Sequence, residues 1–431
     1  VNAGNPLKWI PTVYFAMGMP FVVLNMVCVL MFKGLDVSDA QVAFWTSLIM
    51  LPWTLKPLWS PILEIYKTKR FFIIVTEIIT GVFFGVVAFS LHLPDFFAVA
   101  IAVLAVIALS GATHDVVTDG MYMQELDSKT QAKYIGWQGA FYNIAKIFAT
   151  GLLVYLAGVF IDDYSKTVSL HDATVKAWFL IMIFCGLIMI LLGIYHFFSL
   201  PRSEKGSHGK TLKESMKEFT EVFYDFFTKR HIWYYMIFII LYRFAEGLVM
   251  RIVPMFLKAP LAQQGLGMSE KEIGICYGTF GAAAFVLGSI LAGYFIARRG
   301  LKKSLFILCC VFNFPFVVYT LFALFQPQNL FLIGAGIVFE YFGYGFGFVG
   351  LTLFMMQQIA PGKHQMAHYA FASGIMNLGV MLPGMLSGYM SDAFGYRLFF
   401  ILVLLAIVPS LLITWFVPFS YDEKGEKILN S

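Results

Sequence analysis

The sequence predicts an all-α polytopic membrane protein, with twelve transmembrane helices arranged as two six-helix bundles. Three observations carry this reading: a composition foreign to water-soluble folds, a recurrence of long apolar runs, and an internal repeat. Of 431 residues, 59% are hydrophobic and only 13% charged, against about 25% charged in an average soluble domain. A hydrocarbon core about 30 Å thick needs roughly 20 apolar residues per helix. Such runs fall at 9–32, 41–63, 71–92, 96–124, 134–160, 174–199, 231–257, 270–297, 303–325, 329–357, 366–391 and 396–418, numbered here as spans 1 to 12. They are continuous rather than alternating, which favours helices over a barrel. The first run is too long for a signal-peptide core and is taken as span 1, with no cleavable leader expected.

Most of the 30 Lys and Arg fall in the loops on one side of these spans, which is the positive-inside pattern and places both termini in the cytoplasm. The formal charge of +5 therefore reflects membrane topology, and no nucleic-acid partner is expected. Cys28, Cys185, Cys276, Cys309 and Cys310 all lie within predicted spans without metal-ligand spacing, so neither a disulfide nor a metal is expected.

The repeat appears at the entrances of spans 2 and 8. Gly34-Leu35-Asp36-Val37-Ser38-Asp39-Ala40 is matched by Gly265-Leu266-Gly267-Met268-Ser269-Glu270-Lys271. In both, a Ser N-cap is followed by an acidic first turn that complements the helix dipole. Parallel six-span halves follow, over 1–199 and 231–431. Residues 200–230 join them, with a Thr211/Glu214 capping box and with Leu212, Met216, Phe219, Phe223 and Phe226 at helical spacing. An interfacial helix is expected there.

The run from Gly293 to Lys303, ending span 8, resembles the Gly-x-x-x-Asp-Arg-x-Gly-x-Lys/Arg loop of the major facilitator superfamily, with Ala297 in the Asp position. Its first-half counterpart has Glu64 and Ile65 in the Asp and Arg positions. Within that superfamily the chain most resembles the AmpG-type muropeptide permeases and their acetyl-CoA transporter relatives. The likeness is carried by Leu55-Lys56-Pro57-Leu58-Trp59-Ser60-Pro61-Ile62, by Ser110 to Asp119 in span 4, and by Leu241-Tyr242-Arg243-Phe244-Ala245-Glu246 in span 7. The resemblance implies the major facilitator fold, a bacterial inner-membrane location, and proton-coupled uptake of cell-wall amino-sugar fragments. His114 stands where that group has Gln, and Glu246 where it has Asp.

Ionisable side chains inside a span cost at least roughly 2.5–3.5 kcal/mol each, so they normally face a cavity and act there. Asp115 and Asp119 lie one turn apart on span 4, where two like charges resist ionising together, and Lys56 on span 2 is their counter-charge. An exchange of Lys56 between this pair and a proton or solute would couple two fluxes; the plainer reading is a fixed ion pair joining spans 2 and 4. Glu246 and Glu340 are further proton-handling candidates. Substrate-binding candidates are Gln138, Tyr142, Asn143 and Lys146 on span 5, His114 on span 4, Arg243 and Arg251 on span 7, and Tyr14 and Asn25 on span 1. For Arg243 and Glu246, three residues apart, local pairing is an equal reading, as interhelical hydrogen bonding is for Tyr14 and Asn25. Glu64, Arg298, Arg299, Lys302 and Lys303 lie in inner loops and are assigned to gating.

Enzyme readings fail on motif grounds. Gly209-Lys210-Thr211 imitates the end of a phosphate loop but has Glu204 where Gly is required. His364 and His368 have the spacing of a zinc pair without a third ligand, and a solvated pair is expected at that loop edge. No cofactor is expected. The expected activity is secondary transport of a small, sugar-containing solute with protons as driving ion. The rivals are a drug exporter, an acetyl-CoA carrier using Lys56, Lys146, Arg243 and Arg251, and a membrane sensor that binds without transporting.

Overall fold

The computed structural model describes residues 5–60, 63, 67–126, 128–202, 212–362 and 364–421. Among these residues the chain is helical, with no β-strand. Nine stretches are long and apolar enough to cross a bilayer among the described residues. Three local breaks account for the difference from the twelve predicted.

The last of the nine stretches, Ala367–Trp415, is 49 residues long. At 1.5 Å per residue it would measure about 74 Å as one helix, more than twice the hydrocarbon thickness. Gly395 interrupts it with φ 69° and ψ 164°, a backbone conformation that side chains with a Cβ rarely adopt. Spans 11 and 12 therefore separate where the sequence places them. Span 2 is divided into Asp39–Leu48, Leu51–Leu55 and a 3₁₀ turn Lys56–Leu58, with Pro52 and Pro57 opening the last two pieces because proline can only begin such turns. Span 7 is divided into Ile232–Tyr242 and Phe244–Lys258, with Arg243 between them at φ −101° and ψ 3°.

The remaining spans begin with side-chain caps where the sequence offers them. Thr68 caps span 3 (Lys69–Ser90), Ser169 caps span 6 (Leu170–Ser199), and Asn329 caps span 10 (Leu330–Phe354). Ser269 and Glu272 form a reciprocal capping box at the start of span 8, and Ser38 accepts from the Gln41 amide at 3.4 Å at the matching entrance to span 2. Large apolar side chains such as Leu187, Leu191, Phe198 and Phe331 are exposed on the outer faces, as helices bathed in lipid require.

The chain folds as two units. The first comprises Val1–Val37 and Ile49–Met216, the second Ser38–Leu48 and Lys217–Ser431. In the first, span 3 packs against span 4 (Phe96–Glu125) and span 6, and span 1 packs against span 5 (Ser128–Ile147, continuing to Tyr164). Trp9, Ile10, Val13 and Tyr14 form an apolar cluster there with Ile73, Val117 and Met121. In the second unit, span 10 packs on spans 8 and 9, and the second half of span 7 packs on span 11. The helix Asp39–Leu48 belongs to this second unit because it lies against span 11 and is held by polar contacts. Arg251 Nε donates to Ser47 Oγ at 3.1 Å, and the Tyr396 hydroxyl donates to Asp39 Oδ2 at 2.5 Å.

The connecting segment carries a helix, Leu212–Phe227, while Thr211 of the expected capping box lies outside the described residues. Phe226 is fully buried and stacks against Phe371 at 5.4 Å, whereas Phe223 and Tyr224 remain exposed. The expectation of a solvated histidine pair is corrected here. His368 is buried at 2% exposure, packed 5.8 Å from the Phe226 ring and with its Nε2 3.3 Å from the Val222 carbonyl. His364 Nε2 lies 3.5 Å from Asp225. The pair fastens the connecting helix to span 11.

Close helix approach in the second unit depends on Gly345 of span 10, where a Cβ would stand 2.0 Å from the Phe285 carbonyl oxygen of span 8. Gly345→Val is expected to push the helices apart and to lower stability by about 1–3 kcal/mol, read as thermal unfolding in detergent. Gly85→Ala, where an added Cβ meets nothing within 4 Å, serves as the neutral control.

Candidate functional site

In the first unit the structure brings together residues from spans 1, 2, 4 and 5. The break in span 2 places Trp53 and Lys56 against span 4. Asp115 Oδ2 accepts from Trp53 Nε1 at 2.9 Å and lies 3.6 Å from Lys56 Nζ. Its other oxygen, Oδ1, is buried and has no hydrogen-bond partner among the described residues. The Trp53 ring reaches this position because span 4 carries Gly111 beneath it, where a Cβ would meet the ring at 2.8 Å. One turn along span 4, Asp119 Oδ1 accepts from the Tyr14 hydroxyl at 3.0 Å and faces Gln138 Nε2 at 3.4 Å.

This arrangement sets two carboxylates against one lysine. Asp115 is 8% exposed, so its charge is largely withdrawn from water, while Asp119 and Lys56 are partly exposed. An unbalanced negative charge in such surroundings is strongly disfavoured. The cluster becomes electrically balanced when it gains a proton or a cationic group of a solute. Aromatic rings border it: Phe21 stands edge-on to Trp53 at 5.3 Å and faces Tyr142 at 6.5 Å.

The other candidates on spans 1 and 5 are placed as follows. Asn143 and Lys146 are partly exposed, and the Asn143 amide donates to the Gly139 carbonyl at 2.9 Å. Asn25 lies in the π-helical turn Val23–Val27 of span 1 and donates to the Phe21 carbonyl at 2.8 Å. His114 points away from Asp115 on the span 4 surface, because consecutive helix residues are about 100° apart. Its Nε2 is 3.1 Å from Glu77 Oε1 on span 3, and its Nδ1 is 3.3 Å from the Thr118 hydroxyl. His114 is 3% exposed and thus engaged within the helix bundle.

Sequence reasoning passed over Glu77, His196 and Trp53. Glu77 stands alone among apolar residues in the middle of span 3, the same signal that selected Glu340, and it would have been found by applying that criterion evenly. His196 sits near the end of its span, where histidine reads as interfacial. Trp53 carries no sequence mark that separates it from an ordinary lipid-facing tryptophan.

In the second unit Arg243 and Glu246 form a closed ion pair, whereas Arg251 and Glu340 contact hydroxyl and carbonyl groups. Arg243, at the break in span 7, holds Glu246 in a bidentate fork with Nε to Oε2 at 2.6 Å and Nη2 to Oε1 at 2.5 Å. The guanidinium lies 5.1 Å from the Phe348 ring centroid. Arg251, 1% exposed, reaches Ser47 Oγ and the Thr46 carbonyl. Glu340 accepts from the Tyr319 hydroxyl at 2.8 Å. Arg298, Arg299, Lys302 and Lys303 are exposed at the loop between spans 8 and 9, where Gly300 turns the chain at φ 79°. Glu64 lies outside the described residues.

A buried pair that is broken on one side leaves an uncompensated charge, whereas removing both partners does not. Glu246→Ala is therefore expected to lower stability by about 3–5 kcal/mol, and the double variant Arg243→Met with Glu246→Leu by much less. Thermal unfolding of the three proteins measures this; equal losses in single and double variants would contradict a closed pair.

Residues 12–357 and 239–429 match the sequence profile of the Major Facilitator Superfamily. The anhydromuropeptide permease of Escherichia coli (strain K12) is 23% identical over 407 residues, covering 93% of this chain and 77% of the permease. An uncharacterized protein of Haemophilus influenzae is 23% identical over 429 residues, covering 95% and 94% respectively. Among solved structures, a D-xylose–proton symporter superposes with a TM-score of 0.73 at 14% identity, covering 98% of this chain and 99% of the symporter. A bacterial homologue of the human lysosomal transporter Spinster gives 0.70 at 16% identity, covering 96% and 97%. These structural likenesses concern the fold alone. With the fold and the extent of the profile match agreeing over nearly the whole chain, the protein is a multi-pass membrane transporter, not an enzyme, and belongs to the Major Facilitator Superfamily.

Proposed function

We propose that this transporter is a proton-coupled symporter that imports cell-wall amino-sugar fragments of the muropeptide kind by alternating access. The observation that carries the coupling is the charge count at the span 2/span 4 cluster, where Lys56 lies 3.6 Å from Asp115 and a second carboxylate, Asp119, stands one turn along the same helix. In this reading a proton on the pair restores electrical balance and lets Lys56 leave Asp115. Movement of the helices then follows proton uptake, because a charge that has lost its partner is not carried across a dry interior.

The substrate class is supported by the likeness to the anhydromuropeptide permease over 93% of the chain, together with the side chains around the cluster. Trp53, Phe21 and Tyr142 offer ring faces and edges to a sugar. Gln138 and Asn143 offer amides, and Lys146 a cation for the carboxylates that such fragments carry. The acetyl-CoA reading draws less support. Of the four cations it would use for phosphates, Arg243 is committed to Glu246 and Arg251 to Ser47 and Thr46. Location in a bacterial inner membrane with both termini cytoplasmic belongs to the same reading and rests on the distribution of Lys and Arg among the loops.

Uptake of labelled anhydromuropeptide into proteoliposomes is expected to rise under an inwardly directed proton gradient. Asp119→Asn is expected to lower that gradient-driven uptake by about 10- to 100-fold, the scale of one lost charged hydrogen bond, while solute counterflow, which needs no net proton movement, persists. Uptake that ignores the gradient would refute the coupling, and a solute panel in which only unrelated compounds are transported would refute the substrate class.

A further inference from the structure

A second polar cluster lies in the first unit, apart from the Lys56–Asp115–Asp119 group. Its centre is Glu77 on span 3, which is 0% exposed. Both Glu77 oxygens lie 2.8 Å from Nδ1 of His196 on span 6, itself 0% exposed. Oε1 also lies 3.1 Å from Nε2 of His114 on span 4. The chain of contacts continues at each end. His196 Nε2 is 2.9 Å from the Thr12 hydroxyl on span 1, and His114 Nδ1 is 3.3 Å from the Thr118 hydroxyl. Four of the six spans of the unit thus meet at one carboxylate.

Charge and donors both require a proton here. No Lys or Arg pairs with Glu77 among the described residues, and a lone carboxylate enclosed this completely is strongly disfavoured. The Thr12 hydroxyl has one hydrogen, and it reaches the Trp9 carbonyl at 3.1 Å, so Thr12 accepts from His196 Nε2. His196 then carries a hydrogen on Nε2, and the 2.8 Å contacts at Nδ1 need another. Either His196 is an imidazolium beside ionised Glu77, or Glu77 is protonated and donates to Nδ1. The two forms contain the same number of protons.

His114 differs from His196. In the tautomer that carries its hydrogen on Nε2, that nitrogen donates to Glu77, and its Nδ1 faces a hydroxyl that can donate or accept by turning about one bond. A proton added at Nδ1 therefore leaves every other contact in place. The charged groups around it are Glu77 and His196 across the span 3 interface, Asp115 and Asp119 on its own helix, and Lys56 beyond Asp115.

We propose that Glu77, His114 and His196 form a second proton-binding site, in which Glu77 and His196 share one permanently held proton and His114 takes up an exchangeable one at Nδ1. The site makes His114 a positioning residue for Asp115, since a positive imidazole on the preceding residue of span 4, though turned toward Glu77, acts through space to favour the ionised, Lys56-paired form of that carboxylate. Use of the site in driving transport rests on the proton-coupled reading above; the existence of the site does not.

The test uses the full chain in lipid nanodiscs with ¹⁵N-labelled histidine, assigned through His114→Gln and His196→Gln, with infrared detection of protonated carboxyl. Between about pH 5 and about pH 8, the interval in which histidine side chains change charge, the proposal requires His114 to gain and lose one proton. Over the same range His196 and Glu77 together keep one proton, seen either as an unchanging imidazolium or as an unchanging carboxylic acid. Glu77→Gln is expected to abolish both signatures. A His196 that titrates like free imidazole, or a His114 that stays in one state throughout, would overturn the proposal. In proteoliposomes, His114→Gln is expected to shift or flatten the pH profile of uptake, with counterflow unchanged. A profile identical to the native one would overturn the positioning role. If the native chain shows the titrations but no gradient-driven uptake, the symport reading fails while the site stands. If a variant fails to fold, the native titration alone decides.

Discussion

Charge withdrawn from water has to be balanced locally, and in this protein that requirement decides which helices meet. A membrane interior offers neither bulk solvent nor counter-ions, so each ionisable side chain within a span is either matched by a partner or neutralised by a proton. Glu77 gathers spans 1, 3, 4 and 6 through two histidines and a threonine. Arg243 and Glu246 close on one another beside Phe348, and Glu340 draws Tyr319 from span 9 to span 10. The apolar cores around these points are built of Phe, Leu and Ile that lipid would accommodate almost equally well. Polar contacts and close backbone approach, as at Gly345, are what distinguish one packing from another.

The two units meet this requirement differently. In the second, Arg243 and Glu246 pair within one helix turn, while Arg251 and Glu340 contact hydroxyls. In the first, Lys56 pairs with Asp115 while Asp119 stands one turn away, and Asp115 Oδ1 lacks a hydrogen-bond partner among the described residues. A cluster whose charges do not cancel has a reason to bind and release. The need for charge balance is what the proposed proton and solute chemistry of the first unit rests on. It also explains why breaks in helices coincide with charged residues: Lys56 and Arg243 both sit where regular hydrogen bonding is interrupted, and where side chains can leave the helical lattice to reach a partner.

The fold was legible in the sequence because lipid imposes simple rules. The twelve apolar runs, the Ser-capped entrances of spans 2 and 8, and the basic loops all follow from hydrophobic thickness, capping and charge placement, which are local properties of the chain. The same locality identified Asp115, Asp119 and Lys56 as a group, since two of them are one turn apart and all three interrupt apolar runs. It also proposed the Arg243 and Glu246 pair, three residues apart on one helix.

Residues whose partners lie on distant spans were not legible in this way. His114 reads from the sequence as a neighbour of Asp115, yet the 100° step of the helix turns it toward Glu77, 37 positions earlier in the chain. His196 and Thr12 are separated by 184 positions and meet only because spans 1 and 6 pack side by side. His368 reads as a loop-edge residue and is buried by the connecting helix. The sequence alone determined how many helices there are, where they begin and which ionisable groups they carry. Helix rotation and neighbour choice, which depend on packing between distant segments, were decided by the tertiary structure, and with them which of those groups meet.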